Sequence, residues 1–163
     1  MNDLRPAARL PLLFLGMISL LGGVVAGLAR LAWEVPPVAA AAAGLHGALM
    51  ISAFFGTVIS LERAVAIGRL LAYAAPAAAG LSGLCLLAGA PLGVVQALAI
   101  VAAGVMVGAS LQVLRRLTAP FTIVLALGAG CWLGGNLAWL ASGMLTPAVP
   151  WWMDLLVLTI AGE

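Results

Sequence analysis

Long apolar runs separated by short polar or proline-bearing breaks make up nearly all of this sequence. A membrane-crossing helix needs roughly 20 apolar residues at about 1.5 Å rise each, and six stretches answer to that description. They are residues 10–31, 38–61 with an extension to 67, 70–89, 92–114, 120–141, and a last one that starts near Val149. The break Trp33-Glu34-Val35-Pro36-Pro37 stops the first, because two adjacent prolines cannot continue a helix. Gly89-Ala90-Pro91 marks a tight hairpin after the third. The pattern predicts an all-α fold: a polytopic transmembrane bundle of about six spans, forming a single domain over residues 1–163.

The arginines give that bundle a direction. Arg5 and Arg9 precede the first span, Arg63 and Arg69 lie between the second and third, and Arg115 and Arg116 lie between the fourth and fifth. In a six-span topology these all fall on one face, and only Arg30 falls on the other, with Glu34 four residues on to partner it. The positive-inside rule then puts the N-terminus in the cytoplasm of a bacterium whose inner membrane holds the chain. Trp33, Trp139, Trp151 and Trp152 sit near the opposite boundary, where an aromatic belt is expected. The polar N-terminal stretch, residues 1–10, resembles the start of a signal peptide. The apolar run behind it is too long for one and lacks a convincing cleavage site, so it reads as a retained first span. From Val149 to Glu163 only about 22 Å of helix is available at the same rise. The last span reads as incomplete, and the chain as the N-terminal part of a longer protein.

Composition sharpens the membrane assignment. Hydrophobic residues are 65% of the chain and charged ones 7%, against roughly a quarter charged in soluble domains. Lipid must therefore be the solvent for most of the outside. The scattered arginines lack the clustering that nucleic acid requires. Cys85 and Cys131 lie inside apolar runs and read as small hydrophobic filler rather than a disulfide framework. Pairs of glycines at four-residue spacing (Gly23 and Gly27, Gly104 and Gly108, Gly130 and Gly134) let helix backbones approach closely, as packing in lipid demands. Packing inside one bundle accounts for them more simply than a dedicated dimer face, although a homo-oligomer or a partner membrane subunit is compatible with the sequence.

Polar residues within spans are costly and tend to face an interior or a partner. His46 is the only histidine, about eight residues into the second span. Gln96, Asn136 and Asp154 come from the fourth, fifth and sixth spans at a similar expected depth. Asp154 is placed to pair with His46. Met50, one turn from His46, adds a soft donor, with Cys131 and Met153 nearby, and His plus Met suits haem iron or copper. Three roles stay open for this cluster: a hydrogen-bonded lock, a metal or haem ligand at His46, or a path for protons or a small solute. Glu62 and Arg63 close the second span as charged anchors at the arginine-bearing face, with Arg115 or Arg116 within Glu62's reach and Glu163 at the matching end of the sixth. Residues 57–62 and 157–163 share an apolar-to-Glu ending, a short hint of an internal repeat. There is no phosphate-binding loop, dinucleotide fingerprint, HExxH, CxxC or nucleophile elbow, so soluble-type catalysis has no motif here.

The segment Leu45-His46-Gly47-Ala48-Leu49-Met50, with Phe54-Phe55-Gly56-Thr57 and Leu61-Glu62-Arg63-Ala64, resembles NnrS-like membrane proteins, which are related in outline to haem-copper oxidase subunits. The ending from Trp151-Trp152 to Ile160-Ala161-Gly162-Glu163 resembles the middle of such proteins. The resemblance implies haem and copper chemistry in the membrane, linked to nitric oxide or nitrosative stress, with His46 as a ligand. This chain departs from that family in holding a single histidine. The leading expectation is thus a haem- or copper-associated membrane protein of that class. A transporter or channel half, and a structural subunit without a site, are the alternatives.

Overall fold

A computed structural model describes residues 3–163, so the first two residues of the polar N-terminal stretch lie outside it. Among the described residues the chain is helical, without a strand. Helix α1 runs Pro6–Arg30 and a short α2 runs Pro37–Ala41. A 3-10 turn (Ala43–Leu45) and a π-helical segment (Ala48–Phe55) then lead into α3, Gly56–Ile67. A second 3-10 turn, Leu70–Tyr73, opens α4, Ala74–Leu87. Helices α5 (Leu92–Arg116), α6 (Pro120–Ser142) and α7 (Val149–Gly162) complete the bundle.

Five of these helical stretches are long and apolar enough to cross a membrane: Pro6–Arg30, Ala48–Ile67, Leu70–Leu87, Leu92–Arg116 and Pro120–Ser142. Helix α7 is apolar but shorter. The expected second span thus enters as a broken helix and becomes continuous only from Ala48. Pro6 stands at the start of α1, Pro37 at the start of α2 and Pro120 at the start of α6. In those places the missing N–H would have had no partner in the helix. The hairpin between α4 and α5 turns on Gly89, whose φ of +73° suits a residue without Cβ.

The outer surface is apolar. Phe14, Leu21, Leu127, Val157 and Ile160 are among many large side chains that point away from the protein. The interior is built of small residues around a few large ones. Ala26, Ala79, Ala102, Ala103 and Ala129 are fully buried beside Trp132, Trp139 and Trp152. Of the four tryptophans expected in an aromatic belt, two are turned into the core. Trp33 and Trp151 are exposed, while Trp139 and Trp152 form part of the core because the α6 and α7 faces that bear them turn inward.

Glycines make room for this packing. A Cβ on Gly23 would lie 2.9 Å from the sulfur of Met50, and one on Gly134 would lie 2.9 Å from the Trp151 ring. A Cβ on Gly56 would run into the Trp132 indole. Gly104, Gly108 and Gly130 behave otherwise, since a Cβ there would meet nothing. Of the three glycine pairs, the first is used within the bundle, the last only at Gly134, and the pair on α5 faces outward.

One end of the bundle gathers the charges. Arg9 pairs with Asp3 at 2.8 Å, and the Tyr73 hydroxyl donates to the same carboxylate at 2.7 Å. Arg63 pairs with Glu163 at 3.1 Å, joining the end of α3 to the end of α7. Arg69 donates to the Gln112 side-chain oxygen at 3.0 Å. Glu62 is exposed and makes no ion pair among the described residues, so neither Arg115 nor Arg116 closes on it. Arg30 likewise does not pair with Glu34. Its guanidinium lies 3.4 Å from the His46 ring instead.

The hydrogen bond from Tyr73, helped by the Leu4 backbone N–H and by Arg9, holds the Asp3 carboxyl below its ordinary value of 3.8. A carboxyl depressed in the folded state stabilises fully above its unfolded pKa, and that contribution is lost as pH falls through the folded value. Asp3→Asn should therefore melt below the parent near neutral pH, and the two should converge as pH falls through the folded carboxyl's depressed pKa. Thermal unfolding in detergent across that range reads the difference; a gap that persists or widens in acid would exclude the carboxylate as its source.

Candidate functional site

Asn136 is the centre of the buried polar chemistry. It lies on α6 with no exposure. Its side-chain oxygen accepts from Ser52 Oγ at 2.9 Å and from Trp152 Nε1 at 3.2 Å. Its nitrogen donates to the Ala99 carbonyl of α5 at 3.2 Å. Ser52 Oγ in turn accepts from Trp132 Nε1 at 3.2 Å. One side chain thus ties together the π-helical segment, α5, α6 and α7. The donors run in sequence from Trp132 to Ser52 to Asn136, an arrangement in which each bond polarises the next.

Gln96 completes a reciprocal exchange between α5 and α6. Gln96 of α5 donates to the Trp139 carbonyl of α6 at 3.1 Å, while Asn136 of α6 donates to the Ala99 carbonyl of α5. Each helix contributes an amide three residues from the carbonyl it offers, so the pair fixes the antiparallel register twice over. Trp139 stacks edge-on against Trp152 with ring centres 5.8 Å apart, and its own indole N–H has no partner among the described residues.

The local winding explains why Ser52 takes part. A π-helical turn holds one residue more than an α turn, which re-aims the side chains it carries. Ser52 lies within that segment, and Gly56 at its junction with α3 leaves the gap that the Trp132 ring fills. Neither feature has a signature in residue spacing. Ser52, Trp132 and Trp152 were not among the expected site residues. The one available signal was that Ser52 is a hydroxyl in an otherwise apolar run.

The expected partnership of His46 and Asp154 does not form. His46 is half-buried. Its Nδ1 lies 3.1 Å from the Ala43 carbonyl and 3.4 Å from Arg30, and its ring packs over Gly27 of α1. Met50 is likewise turned onto α1, over Gly23. The two residues fill the groove made by that glycine pair. Asp154 is exposed on α7, off the stripe of Trp152, Leu155 and Gly162 that is buried. Met153 beside it is also exposed. Of the four polar residues expected at one level, the structure brings together Gln96 and Asn136 and leaves His46 and Asp154 outside. Cys85 and Cys131 are free and partly buried. Among the described residues no three His, Cys, Asp or Glu side chains approach closely enough to hold a metal ion.

A family model described as a domain of unknown function, DUF8744, matches residues 9–163. No curated protein and no solved structure matches the chain.

Replacing Asn136 by leucine leaves Ser52 and Trp152 as donors without an acceptor in a dry interior. An orphaned buried donor costs about 1–3 kcal/mol. Asn136→Leu should lose stability in that range, and Ser52→Ala combined with it should lose less than the sum of the two single changes, because both act on one network. Unfolding in mixed detergent micelles measures all three variants; strict additivity would show that the two residues act separately.

Proposed function

We propose that this chain, which belongs to the DUF8744 family of domains of unknown function, serves as a rigid membrane-embedded scaffold of the bacterial inner membrane. In this reading α7 is the sixth pass, the arginine-bearing end faces the cytoplasm under the positive-inside rule, and the bundle is one domain of a multi-pass protein. The observation that supports it is the use made of the interior polar groups. Asn136, Ser52 and Gln96 spend their hydrogen bonds on helix registry, with tryptophan and alanine packed around them. A path for protons or solutes needs polar groups that reach water at both ends, whereas this network is buried and ends on backbone carbonyls and indoles. The transporter reading makes the opposite forecast. Purified protein in proteoliposomes should show no flux of protons or small solutes above empty vesicles, and Asp154→Asn should change nothing. Flux that depends on Asp154 would overturn the scaffold.

One observation favours a second reading, the NnrS-like one. If the His46 Nδ1–H donates to the Ala43 carbonyl, Nε2 keeps its lone pair, and a backbone carbonyl holding the distal N–H is how proteins commonly orient a ligating histidine. Copper does not fit what surrounds it: Met50 packs against α1, and among the described residues no group of His, Cys, Asp or Glu side chains gathers to complete a site. Haem iron asks for only an axial imidazole from this chain. The apolar cleft of about 400 Å³ that opens beside Ala42 and Leu45 does not include His46 in its walls, so the rest of a haem pocket would have to come from elsewhere. This reading expects a Soret band from protein made in haem-replete cells, lost in His46→Ala while thermal stability holds. A colourless preparation would end it, along with its link to nitric oxide.

A further inference from the structure

Seven arginines serve this chain, and lysine is absent. Two arginines are neutralised, Arg9 by Asp3 and Arg63 by Glu163. Arg69 is not. It stands just before the 3-10 turn that opens α4, exposed, and among the described residues the only side chain it is bonded to is the neutral amide of Gln112 on α5. A guanidinium carries five N–H donors in a planar fork that matches phosphate geometry. Most of that capacity is free here, and no carboxylate among the described residues claims it.

Beside Arg69 a groove of about 430 Å³ separates the Leu70–Tyr73 turn from α5. Its volume falls within the roughly 300–1,000 Å³ of ordinary small-molecule sites. Arg69 and Gln112 are its polar members, and Ile67, Leu71, Val105 and Ala109 are among its apolar ones. Gly108 forms part of the floor, where an added Cβ would meet nothing. The α5 residues of this wall (Val105, Gly108, Ala109, Gln112) follow helical spacing, and the same stripe continues one turn on to Arg115 and Arg116. Gly108 lies eight residues before Arg116, which is about 12 Å along the helix. The groove therefore grades from apolar, about two turns inside the bundle, to cationic at the end where the charges gather.

From that gradient we propose that the groove binds one anionic phospholipid, with an acyl chain lying against Ile67, Leu71, Val105 and Gly108 and the phosphate held by Arg69. The inference rests on the reading of the chain as membrane-embedded. Charge complementarity selects the occupant. A zwitterionic lipid brings its own cation to the headgroup, whereas an anionic one brings net negative charge to an arginine without a carboxylate partner among the described residues, and juxtamembrane basic pockets between helices recognise lipids in this way. A free phosphate would satisfy Arg69 but leave the apolar wall uncovered. A second helix would cover the wall but leave the guanidinium facing hydrocarbon.

Delipidated protein in detergent, titrated with phosphatidylglycerol or phosphatidylcholine and read by native mass spectrometry, tests this directly. The parent should retain phosphatidylglycerol over phosphatidylcholine by about fivefold, the ratio expected of one cation near a membrane surface. Arg69→Gln should abolish the preference. Gly108→Leu should lower retention of both lipids by filling the groove, and it should fold normally because Gly108 is exposed and a Cβ there meets no protein atom. Arg5→Gln, an exposed cation outside the groove, should bind as the parent does. Equal retention of both lipids by the parent, or an Arg69→Gln protein that keeps the preference, overturns the proposal. So does inorganic phosphate that competes the lipid away at millimolar concentration. Release of the protein from membranes by alkaline carbonate would instead sink the membrane reading underneath; protein that stays in the membrane and shows no preference sinks the lipid site alone.

Discussion

Hydrocarbon offers no partner to a polar group, so a hydrogen bond broken inside a membrane bundle is not made good by solvent. That constraint gives Asn136 its weight. The interior around it is made chiefly of alanine, leucine and glycine, whose contacts are non-directional and tolerate small slides and rotations. Asn136 has fixed lone pairs and fixed N–H directions. Satisfying them at Ser52, Trp152 and Ala99 sets the depth and rotation of the π-helical segment, α7 and α5 relative to α6. Packing supplies most of the attraction, and the amide selects one arrangement among many that would pack almost as well.

The tryptophans work in the same direction by shape. Trp132 seats on Gly56, and Trp152 seats on Gly135, where a Cβ would come within 2.6 Å of the ring. A large flat side chain against a bare backbone has few places to fit: Gly56 is flanked by Phe55 and Thr57, and the space over Gly134, next to Gly135, is taken by the Trp151 ring. Both rings also reach the polar hub through their indole nitrogens. Shape and hydrogen bonding therefore impose the same register, and a shift by one residue in α7 would fail on both counts.

How much of this the sequence discloses follows from what depends on depth and what depends on rotation. Runs of apolar residues report depth, and the spans read from them coincide closely with α1, α5 and α6. Proline pairs and glycine turns mark the breaks for local steric reasons. Rotation is set by partners. His46 and Asp154 stand at similar expected depths on helices that turn them different ways, one onto α1 and the other outward. Likewise Trp139 and Trp152 occupy positions suited to an interfacial belt yet face the core. The π-helical winding of Ala48–Phe55 is less legible still. No residue in it demands the extra spacing; the demand comes from Trp132 and Asn136, some eighty positions away.

The charged end shows the same dependence on distant partners, with a different outcome. The Arg63 side chain is 14% exposed but that of Glu163 is 49% exposed, so their bond falls among surface ion pairs, for which about 0–1 kcal/mol is usual. That bond joins α3 to α7, while Asp3, Arg9 and Tyr73 join the start of α1 to the turn before α4. Two pairings thus close the bundle at one end, and they draw on acids that lie near opposite ends of the sequence. Glu62 is left unpaired among the described residues, yet arginines outnumber acids at this end, so the charge that remains there is positive. Among the described residues, the arrangement that ties the helix ends together also leaves Arg69, Arg115 and Arg116 without carboxylate partners. A net positive end on an apolar bundle is what an orientation rule and an anionic headgroup layer would both act upon.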